Sequence, residues 1–324
     1  MKRKMLTALM SSLTVLFLQE ATPAAAQEWP SRTIRTITTS SAGGISDIFM
    51  RALGEELRKR LGQPIIVENR AGGMQNVGSR ACAEAEPDGY TICIINADPL
   101  VYNQFLLKNM PFDPENLQPV INLFHLIQVL VINPSLGAKT IDELIAESKA
   151  KPGIMNYLTA SVPLALYMET LKKEKGADWV RVPFRGGGEA VNAIISGTTP
   201  IALIGEGNVT GQIKQGAMRP LVMLNNIRSP QFPDVPTMEE TGYKGAPSRT
   251  WYGLFVPKGT PRPIVDRLNK EIREIVSKPE FRDAHLTARS LVSALNTTEE
   301  FAKEIVADRA VAKQVVKDSG REPQ

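Results

Sequence analysis

Apolar residues recur along the chain with two different spacings, which predict strands and helices in alternation. A stretch rich in β-branched residues at 33–38 predicts a strand, and a short apolar run at residues 91–95 predicts another. The second run lacks polar alternation, as is typical of a strand that is covered on both faces. Between the two runs, apolar residues return every three or four positions from Ile48 to Leu61, which predicts a helix that ends at Gly62.

The same alternation continues to the end of the chain. Further strands are predicted at residues 65–67, 130–132, 154–157, 179–182, 201–204, 219–224 and 250–256. Further helices are predicted at residues 74–85, 163–175, 189–196, 261–277 and 298–318. Thr140 and Glu143 form a capping box that begins one more helix. Strands that alternate with helices in this way indicate an α/β architecture with mostly parallel sheets.

The length of the chain and two interruptions of the pattern indicate two lobes. A chain of 324 residues is too long for a single small core. Proline-rich stretches at residues 110–119 and 230–236 interrupt the alternation of strands and helices. We expect the chain to cross between the two lobes near these stretches.

The first 26 residues have the composition of an export signal. A basic stretch at residues 2–4 precedes an apolar stretch at residues 5–18, and alanines at 24–26 supply a small-residue cleavage site. A membrane anchor is the alternative, but about 14 apolar residues fall short of the ~20 that a spanning helix needs. We therefore predict a signal peptide over residues 1–26 and an exported chain that begins at Gln27.

The composition excludes several classes of catalytic and nucleic-acid-binding protein. The two histidines, His125 and His285, lie far apart, which argues against most zinc sites and Cys–His nucleophile pairs. The sequence contains no G-x-S-x-G, H-E-x-x-H or Walker A motif. Lys and Arg total 38 against 34 Asp and Glu, so no strong basic field exists to hold nucleic acid.

Two cysteines, Cys82 in a predicted helix and Cys93 in the next predicted strand, would reach an oxidising compartment in an exported chain. A disulfide across the helix–strand turn is possible where the Cα atoms approach within about 7 Å. The sequence leaves this open, and we expect two buried cysteines that act as small apolar side chains.

Four loops of small residues follow predicted strands and open helices. They cover residues 40–47, 159–163, 185–189 and 205–210. Backbone N–H groups at a helix N-terminus attract anions, and ligands of open α/β sheets bind at the carboxyl ends of strands. The loops therefore predict a carboxylate-binding cleft, although each could be an ordinary tight turn. The last loop partly matches the G-x-G-x-x-G motif of dinucleotide-binding proteins. Its third glycine lies one position too far along the chain, and no acidic residue follows at the distance that would let it bind a ribose.

Short motifs in a fixed order identify a family. Together they resemble the periplasmic solute-binding proteins of tripartite tricarboxylate transporters, the Bug family, over essentially the whole exported chain. The motifs are Trp29-Pro30, Gly43-Gly44-Ile45-Ser46-Asp47, Val67-Glu68-Asn69-Arg70, Pro87-Asp88-Gly89-Tyr90-Thr91, Pro111-Phe112-Asp113-Pro114, Lys151-Pro152-Gly153, Val182-Pro183-Phe184-Arg185-Gly186, Arg228-Ser229, Pro233-Asp234-Val235-Pro236-Thr237, Trp251-Tyr252-Gly253 and Pro257-Lys258-Gly259-Thr260-Pro261.

The resemblance implies a two-lobed, type II periplasmic-binding-protein fold in which each lobe is a mostly parallel sheet flanked by helices. Lobe 1 would comprise residues 27–128 and 250–324, and lobe 2 residues 129–249. The protein would be a periplasmic monomer, without cofactor, metal or catalytic activity. It would capture a di- or tricarboxylate or an aromatic carboxylate and deliver it to the membrane permease subunits of such a transporter. A ligand sensor and, more remotely, an exported carboxylate-processing enzyme are the alternatives.

The resemblance also implies the ligand-binding residues, chiefly backbone amides and hydroxyls. Three departures from the family pattern matter: residues 39–42 are smaller and more polar than usual, residues 159–163 differ from the usual loop of glycine, serine and threonine, and Pro200 replaces a common aspartate. We consider an arginine clamp on the ligand as well as binding by backbone amides. The candidate residues are Ser40, Ser41, Ala42, Gly43, Gly44, Asp47, Asn96, Ala97, Asp98, Thr159, Ala160, Ser161, Arg185, Gly186, Gly187, Gly188, Glu206, Asn208 and Arg249.

Overall fold

Two mixed sheets, each covered by helices, form the frame of the computed structural model, which describes residues 29–323 except 160, 183–186, 226–227, 244–245 and 247–249. For residues 187–189 only the backbone is described. The predicted signal peptide lies outside the described part of the chain. Within that part, no helix is both long enough and apolar enough to cross a membrane.

The strands lie close to their predicted positions. The sequence pattern predicts all of them except the fourth and the last. Their bounds are β1 (Ile34–Thr38), β2 (Ile65–Asn69), β3 (Thr91–Asn96), β4 (Leu117–Leu126), β5 (Gln128–Ile132), β6 (Asn156–Leu158), β7 (Val180–Arg181), β8 (Ile201–Gly205), β9 (Arg219–Met223), β10 (Trp251–Pro257) and β11 (Leu291–Ser293).

The long helices also follow the apolar periodicity. Gly62 ends the first in a left-handed conformation, as predicted. The Thr140 side chain accepts the Glu143 N–H, as predicted, but the Glu143 carboxylate accepts from Lys139 N (2.7 Å), so only half of the predicted capping box forms. The pattern does not predict the third, fourth and tenth helices. The bounds are α1 (Ile45–Leu61), α2 (Asn76–Ala83), α3 (Ala97–Val101), α4 (Asn103–Leu106), α5 (Ile141–Ala150), α6 (Val162–Lys175), α7 (Gly187–Ser196), α8 (Thr210–Lys214), α9 (Arg262–Val276), α10 (Pro279–His285) and α11 (Thr298–Ser319).

The first sheet has the strand order β11-β4-β10-β3-β1-β2, and the second has the order β7-β6-β8-β5-β9. β1 pairs in parallel with β2 and β3, but β10 is antiparallel to both β3 and β4. In the second sheet, β6 pairs in parallel with β7 and β8, whereas β5 is antiparallel to β8 and β9. The prediction of mostly parallel sheets is therefore wrong, and both sheets are mixed.

The chain passes from the first sheet to the second at Ile127, which alone separates β4 from β5. β5 therefore enters the second sheet without the helical crossover that joins parallel neighbours, and it is antiparallel to both β8 and β9. The predicted crossing near residues 110–119 is wrong, because part of that stretch forms the start of β4. Pro119 lies next to a register shift against β10, where a residue without an N–H can join the sheet.

Each sheet packs against its own apolar core. Leu53 of α1, Phe124 of β4 and Leu268 of α9 are fully buried in the core of the first sheet. Leu130, Tyr157 and Trp179 are buried in that of the second. The expectation of two separate cysteines is wrong: Cys82 of α2 and Cys93 of β3 form a disulfide, with Cα atoms 6.3 Å apart. The parallel addition of β3 beside β1 brings α2 and β3 within reach.

Candidate ligand-binding cleft

A cleft of about 1020 Å³ lies between residues of the two sheets. One side, which we name the first wall, is built on the first sheet by Ser40, Ser41, Asn96, Asp98 and Tyr252. The opposite side, the second wall, is built on the second sheet by Thr159, Ser161, Arg181, Gly205 and Asn208. Leu126, Gln128 and Thr250 join the two walls where the chain crosses between the sheets.

The β1–α1 loop brings hydroxyl groups to the first wall. The Ser46 Oγ atom lies 2.6 Å from Ser40 Oγ and 2.7 Å from Thr38 Oγ1. Ser46 and Thr38 are fully buried, so they fix the Ser40 hydroxyl at the edge of the cleft. Ser40 and Ser41 line the cleft, as does Ile45 in the first turn of α1. Free backbone N–H groups of that turn favour an anion nearby.

Asp47 shapes this loop from within. Its carboxylate accepts hydrogen bonds from Gly43 N (2.9 Å) and Asn69 Nδ2 (3.0 Å) and pairs with Arg51 (2.8 Å). Burial acts to raise the pKa of Asp47, but the hydrogen bonds from Arg51, Gly43 and Asn69 outweigh it and hold that pKa below its ordinary value. The carboxylate and the Gly43 amide therefore bind each other and do not line the large cleft, whereas Ser40 and Ser41 of the same loop do.

Several predicted residues of the two loops on the first sheet lie away from the cleft surface. Gly43 lines a smaller adjoining cavity of about 170 Å³. Ala97, another candidate ligand-binding residue, is buried in the first turn of α3, because α3 begins directly after β3. The residues that the structure does not place in the lining of the large cleft are Ala42, Gly43, Gly44, Asp47 and Ala97.

A strained segment that sequence analysis missed also faces the cleft. Met74 and Gln75 have positive φ angles of 54° and 68°, and both line the cleft. Thr39 Oγ1 donates to Gln75 Oε1 (2.8 Å), and the buried Asn103 donates from Nδ2 to the Met74 carbonyl (3.0 Å). Strain of this kind persists where the surroundings hold it, and it is common at binding sites. The Gly72-Gly73 pair is the sequence signal that could have indicated it.

The end of β3 places two buried acceptors on the first wall. Asp98 is 9% exposed, and burial raises its pKa to about 6, although a hydrogen bond from the Asn96 side chain lowers it. Asn96 Oδ1 is buried and has no hydrogen-bond partner among the described residues. Tyr252 lies opposite Asn96 in the β3–β10 register, and burial followed by the Asp98 charge raises the pKa of its phenol.

The second wall combines a capped helix with a cation. Ser161 Oγ accepts the Leu164 N–H (3.4 Å) at the start of α6, and the Ser161 N–H is donated to Thr159 Oγ1 (3.2 Å). Arg181 in β7 donates from one guanidinium nitrogen to the Thr159 carbonyl (3.0 Å). Sequence analysis missed Arg181. No pattern in the nearby residues distinguishes this arginine from an ordinary surface cation, because it lies inside the predicted strand at residues 179–182.

The predicted arginine clamp falls largely outside the described residues. Ala160, Arg185, Gly186 and Arg249 lie there, and Gly187 and Gly188 form the start of α7. Among the described residues that line the cleft, the charged side chains are Asp98 and Arg181.

Glu206 connects the two sheets beside the cleft. It is fully buried, and its Oε1 accepts a hydrogen bond from Ser290 Oγ (2.7 Å) just before β11. It does not line the large cleft, whereas Asn208 does. Gly207 packs so closely that a Cβ atom there would lie 2.4 Å from the Arg289 carbonyl oxygen. Glu206 is thus placed to hold the second sheet against the first.

The comparisons with known proteins agree with this architecture. A family model described as "Tripartite tricarboxylate transporter family receptor" matches residues 49–320. Protein BugT of Bordetella pertussis is 33% identical over 268 residues, which cover 82% of this chain and 82% of that protein.

Two solved structures are similar over almost their whole length. The periplasmic binding protein BugD superposes with a TM-score of 0.80 at 26% identity, over 91% of this chain and 100% of that one. MatC of Rhodopseudomonas palustris with bound malate superposes with a TM-score of 0.77 at 26% identity, over 89% and 99% of the two chains. The predicted family and the two-lobed, type II periplasmic-binding-protein fold are confirmed.

Proposed function

Because the chain belongs to the tripartite tricarboxylate transporter family of receptors, which are periplasmic solute-binding proteins, we propose that it captures a small carboxylate and delivers it to the membrane subunits of such a transporter. The protein binds its ligand in the cleft and catalyses no reaction. We further propose that lobe 1 comprises residues 27–128 and 250–324, that lobe 2 comprises residues 129–249, and that the signal peptide at residues 1–26 is removed on export.

The observation that carries this proposal is a cleft whose two walls offer donors suited to an anion. The first turn of α1, the Ser161-capped start of α6 and the Arg181 guanidinium all border it. Helix N-termini favour negative charge, and a guanidinium can hold a carboxylate through two parallel hydrogen bonds. No cluster of three or more metal-binding side chains occurs among the described residues. The malate bound to MatC supports a carboxylate as the class of ligand.

Closure of the lobes follows from a ligand that contacts both walls. Such a ligand binds the closed form better than the open form and shifts the population towards it. The two crossing segments are the hinge that we propose. The Leu126 N–H is donated to the Thr250 carbonyl (2.8 Å), and the buried Asn225 bonds to both Leu126 and Gln128. Motion about these paired segments leaves each core intact.

A thermal-shift screen of the exported protein tests this function. The panel contains malate, citrate, aliphatic dicarboxylates and benzoate, together with sugars and amines that lack a carboxylate. A ligand at 100 times its dissociation constant stabilises the folded chain by about 2.7 kcal/mol. We expect at least one carboxylate to raise the melting temperature. A response to sugars or amines alone would contradict the proposed ligand class, and sequencing of the secreted chain should begin at Gln27.

A further inference from the structure

The two walls of the cleft differ in the chemistry that they present to a ligand. The second wall carries the Arg181 guanidinium and the start of α6, both of which attract an anion. At the end of β3, the first wall carries the Asp98 carboxylate and Asn96 Oδ1, two acceptors of which the second has no partner among the described residues. The donors of the α1 turn lie elsewhere on the first wall, so a ligand that reaches from the second wall to the end of β3 meets donors at one end and acceptors at the other.

Because the two acceptors at the end of β3 are buried, leaving them without a hydrogen-bond donor costs free energy. Asn96 is 4% exposed and Asp98 is 9% exposed, so water solvates them little. A buried acceptor without a donor is costly, and a buried charge without a partner is more so. The Asn96 side chain donates to Asp98, and its own Oδ1 atom is buried without a partner among the described residues, in a residue that lines the cleft. A ligand group with several N–H donors and a positive charge satisfies both residues at once.

We propose, on the basis of the binding function above, that the ligand is a zwitterion that presents its carboxylate to Arg181 and an ammonium group to Asp98 and Asn96. The Tyr252 ring lies beside the same position, since Tyr252 faces Asn96 across the β3–β10 pair. An aromatic ring tolerates and attracts a cation. A dicarboxylate would place its second carboxylate against two acceptors, and like charges repel most strongly where water is excluded.

Among the described residues, the groups around Asp98 do not supply a cation. Tyr252 of β10 and Tyr102, which follows α3, are phenols whose pKa values are raised first by burial and then by the charge of Asp98. On α11, Asp308 accepts a hydrogen bond from Trp251 Nε1, and Arg309 donates to the Leu100 carbonyl and pairs with Glu115. Across the cleft stands Arg181, whose guanidinium bonds to the Thr159 carbonyl.

Matched pairs of ligands test the proposal on the exported protein. The probes are the ω-amino acids of three to six carbons, the α,ω-dicarboxylates of the same lengths and the simple monocarboxylates, with affinities measured by calorimetry. We expect an ω-amino acid to bind at least tenfold more tightly than the dicarboxylate of its length. Asp98→Asn should abolish this preference, whereas Asp234→Asn, which removes an exposed aspartate outside the cleft lining, should preserve it.

A second measurement uses the unaltered protein and therefore does not depend on how well a variant folds. Burial, partly offset by Asn96, raises the pKa of Asp98 to about 6. Lowering the pH from 7.5 to 5 protonates this group, so amino-acid affinity should fall about tenfold. If Asp98 instead donates a proton to a second carboxylate, dicarboxylates bind more tightly and their affinity rises at pH 5. That result would overturn the zwitterion and leave the proposed function standing, whereas a failure of every carboxylate to bind would contradict both.

Discussion

The two walls of the cleft are built with different rigidity. Behind the first wall, buried Ser46 and Thr38 fix Ser40, Asp47 closes the loop, and a disulfide ties α2 to β3. The second wall rests on β6 and β7, which are three and two residues long, and its cation makes one bond to a backbone carbonyl. The first wall is therefore preorganised. The second wall is held by fewer interactions, so we expect a bound ligand to order it more.

This difference assigns different tasks to the walls. Preorganised polar groups discriminate among ligands, because they cannot move to satisfy a wrong one. The guanidinium of an arginine matches the planar fork of any carboxylate, so it recognises that group without selecting among carboxylates. We therefore expect changes behind the first wall to affect stability and selectivity, and changes on the second wall to affect affinity for carboxylates in general.

Loss of the disulfide should have the largest effect on stability. Replacing both Cys82 and Cys93 by Ser opens a loop with a sequence separation of 11 and should lower the free energy of unfolding by about 3 kcal/mol. Urea unfolding of the variant measures this. As a control, a reducing agent should move the midpoint of the unaltered protein to that of the double variant and leave the variant itself unmoved. An unaltered protein that does not respond to the reductant would show that the bridge contributes nothing.

Truncation of the cation on the second wall should give the next largest effect. Arg181→Ala removes a charged donor from the cleft and should weaken carboxylate binding by 1.5–3 kcal/mol, or roughly tenfold to a hundredfold. Arg181→Lys should retain part of the affinity, since it keeps the charge but loses the planar fork. The matched control is Arg228→Ala, an exposed arginine that pairs with Glu240. Equal affinities of the Arg181 and Arg228 variants would remove Arg181 from the site.

The strained segment of the first wall should respond to the loss of its anchor. Asn103→Ala removes the donor to the Met74 carbonyl and should destabilise the protein by about 1–2 kcal/mol. Because Met74 and Gln75 line the cleft, ligand affinity should also fall several-fold. Calorimetry and urea unfolding report the two effects, with Asn116→Ala at an exposed turn as the control. Loss of stability without loss of affinity would mean that the segment does not contribute to binding.

A pH dependence of stability should be the smallest effect. The folded pKa of Asp47 lies below its ordinary value of 3.8, so its contribution is present above that pH and is lost as the pH falls through the folded pKa. Asp47→Asn should therefore cost about 1 kcal/mol at pH 7 and progressively less below pH 4. Denaturant unfolding of both proteins at pH 7 and pH 3 gives the comparison. A difference that stays constant with pH would exclude an ionised Asp47 as its cause.

Local features of the fold could be predicted because their causes are local. The helix end at Gly62 follows from a left-handed conformation that glycine adopts readily, and the start of α5 follows from the Thr140 cap. α3 was hidden because it spans five residues and its apolar face merges with the buried run of β3. β4 was hidden because Pro119 breaks the usual signal of a strand, and only its pairing with β10 reveals it.

The residues of the candidate site likewise fall into those that a local sequence pattern could predict and those that it could not. Small-residue loops after strands identify Ser40, Ser41, Thr159 and Ser161, which do line the cleft. Arg181 carries no such signal, since a lone arginine in a two-residue strand resembles any surface cation. The sequence signal at Glu206 is misleading. Its place after a strand suggests a ligand contact, whereas in the fold it accepts a hydrogen bond from Ser290, which lies 84 positions away in the sequence. Such a contact has no trace in nearby residues.

The sequence by itself determined the α/β class, the family, the ends of the long helices and the scarcity of catalytic side chains, because periodicity, caps and short motifs act over a few residues. The tertiary structure alone decided the mixed pairing of the sheets, the Cys82–Cys93 bridge and the position of the buried acceptors at the end of β3 across the cleft from Arg181. Each of these depends on which strands become neighbours. β3 lies between β1 and β10 although about 150 residues separate it from the latter, and that adjacency sets Asn96 beside Tyr252.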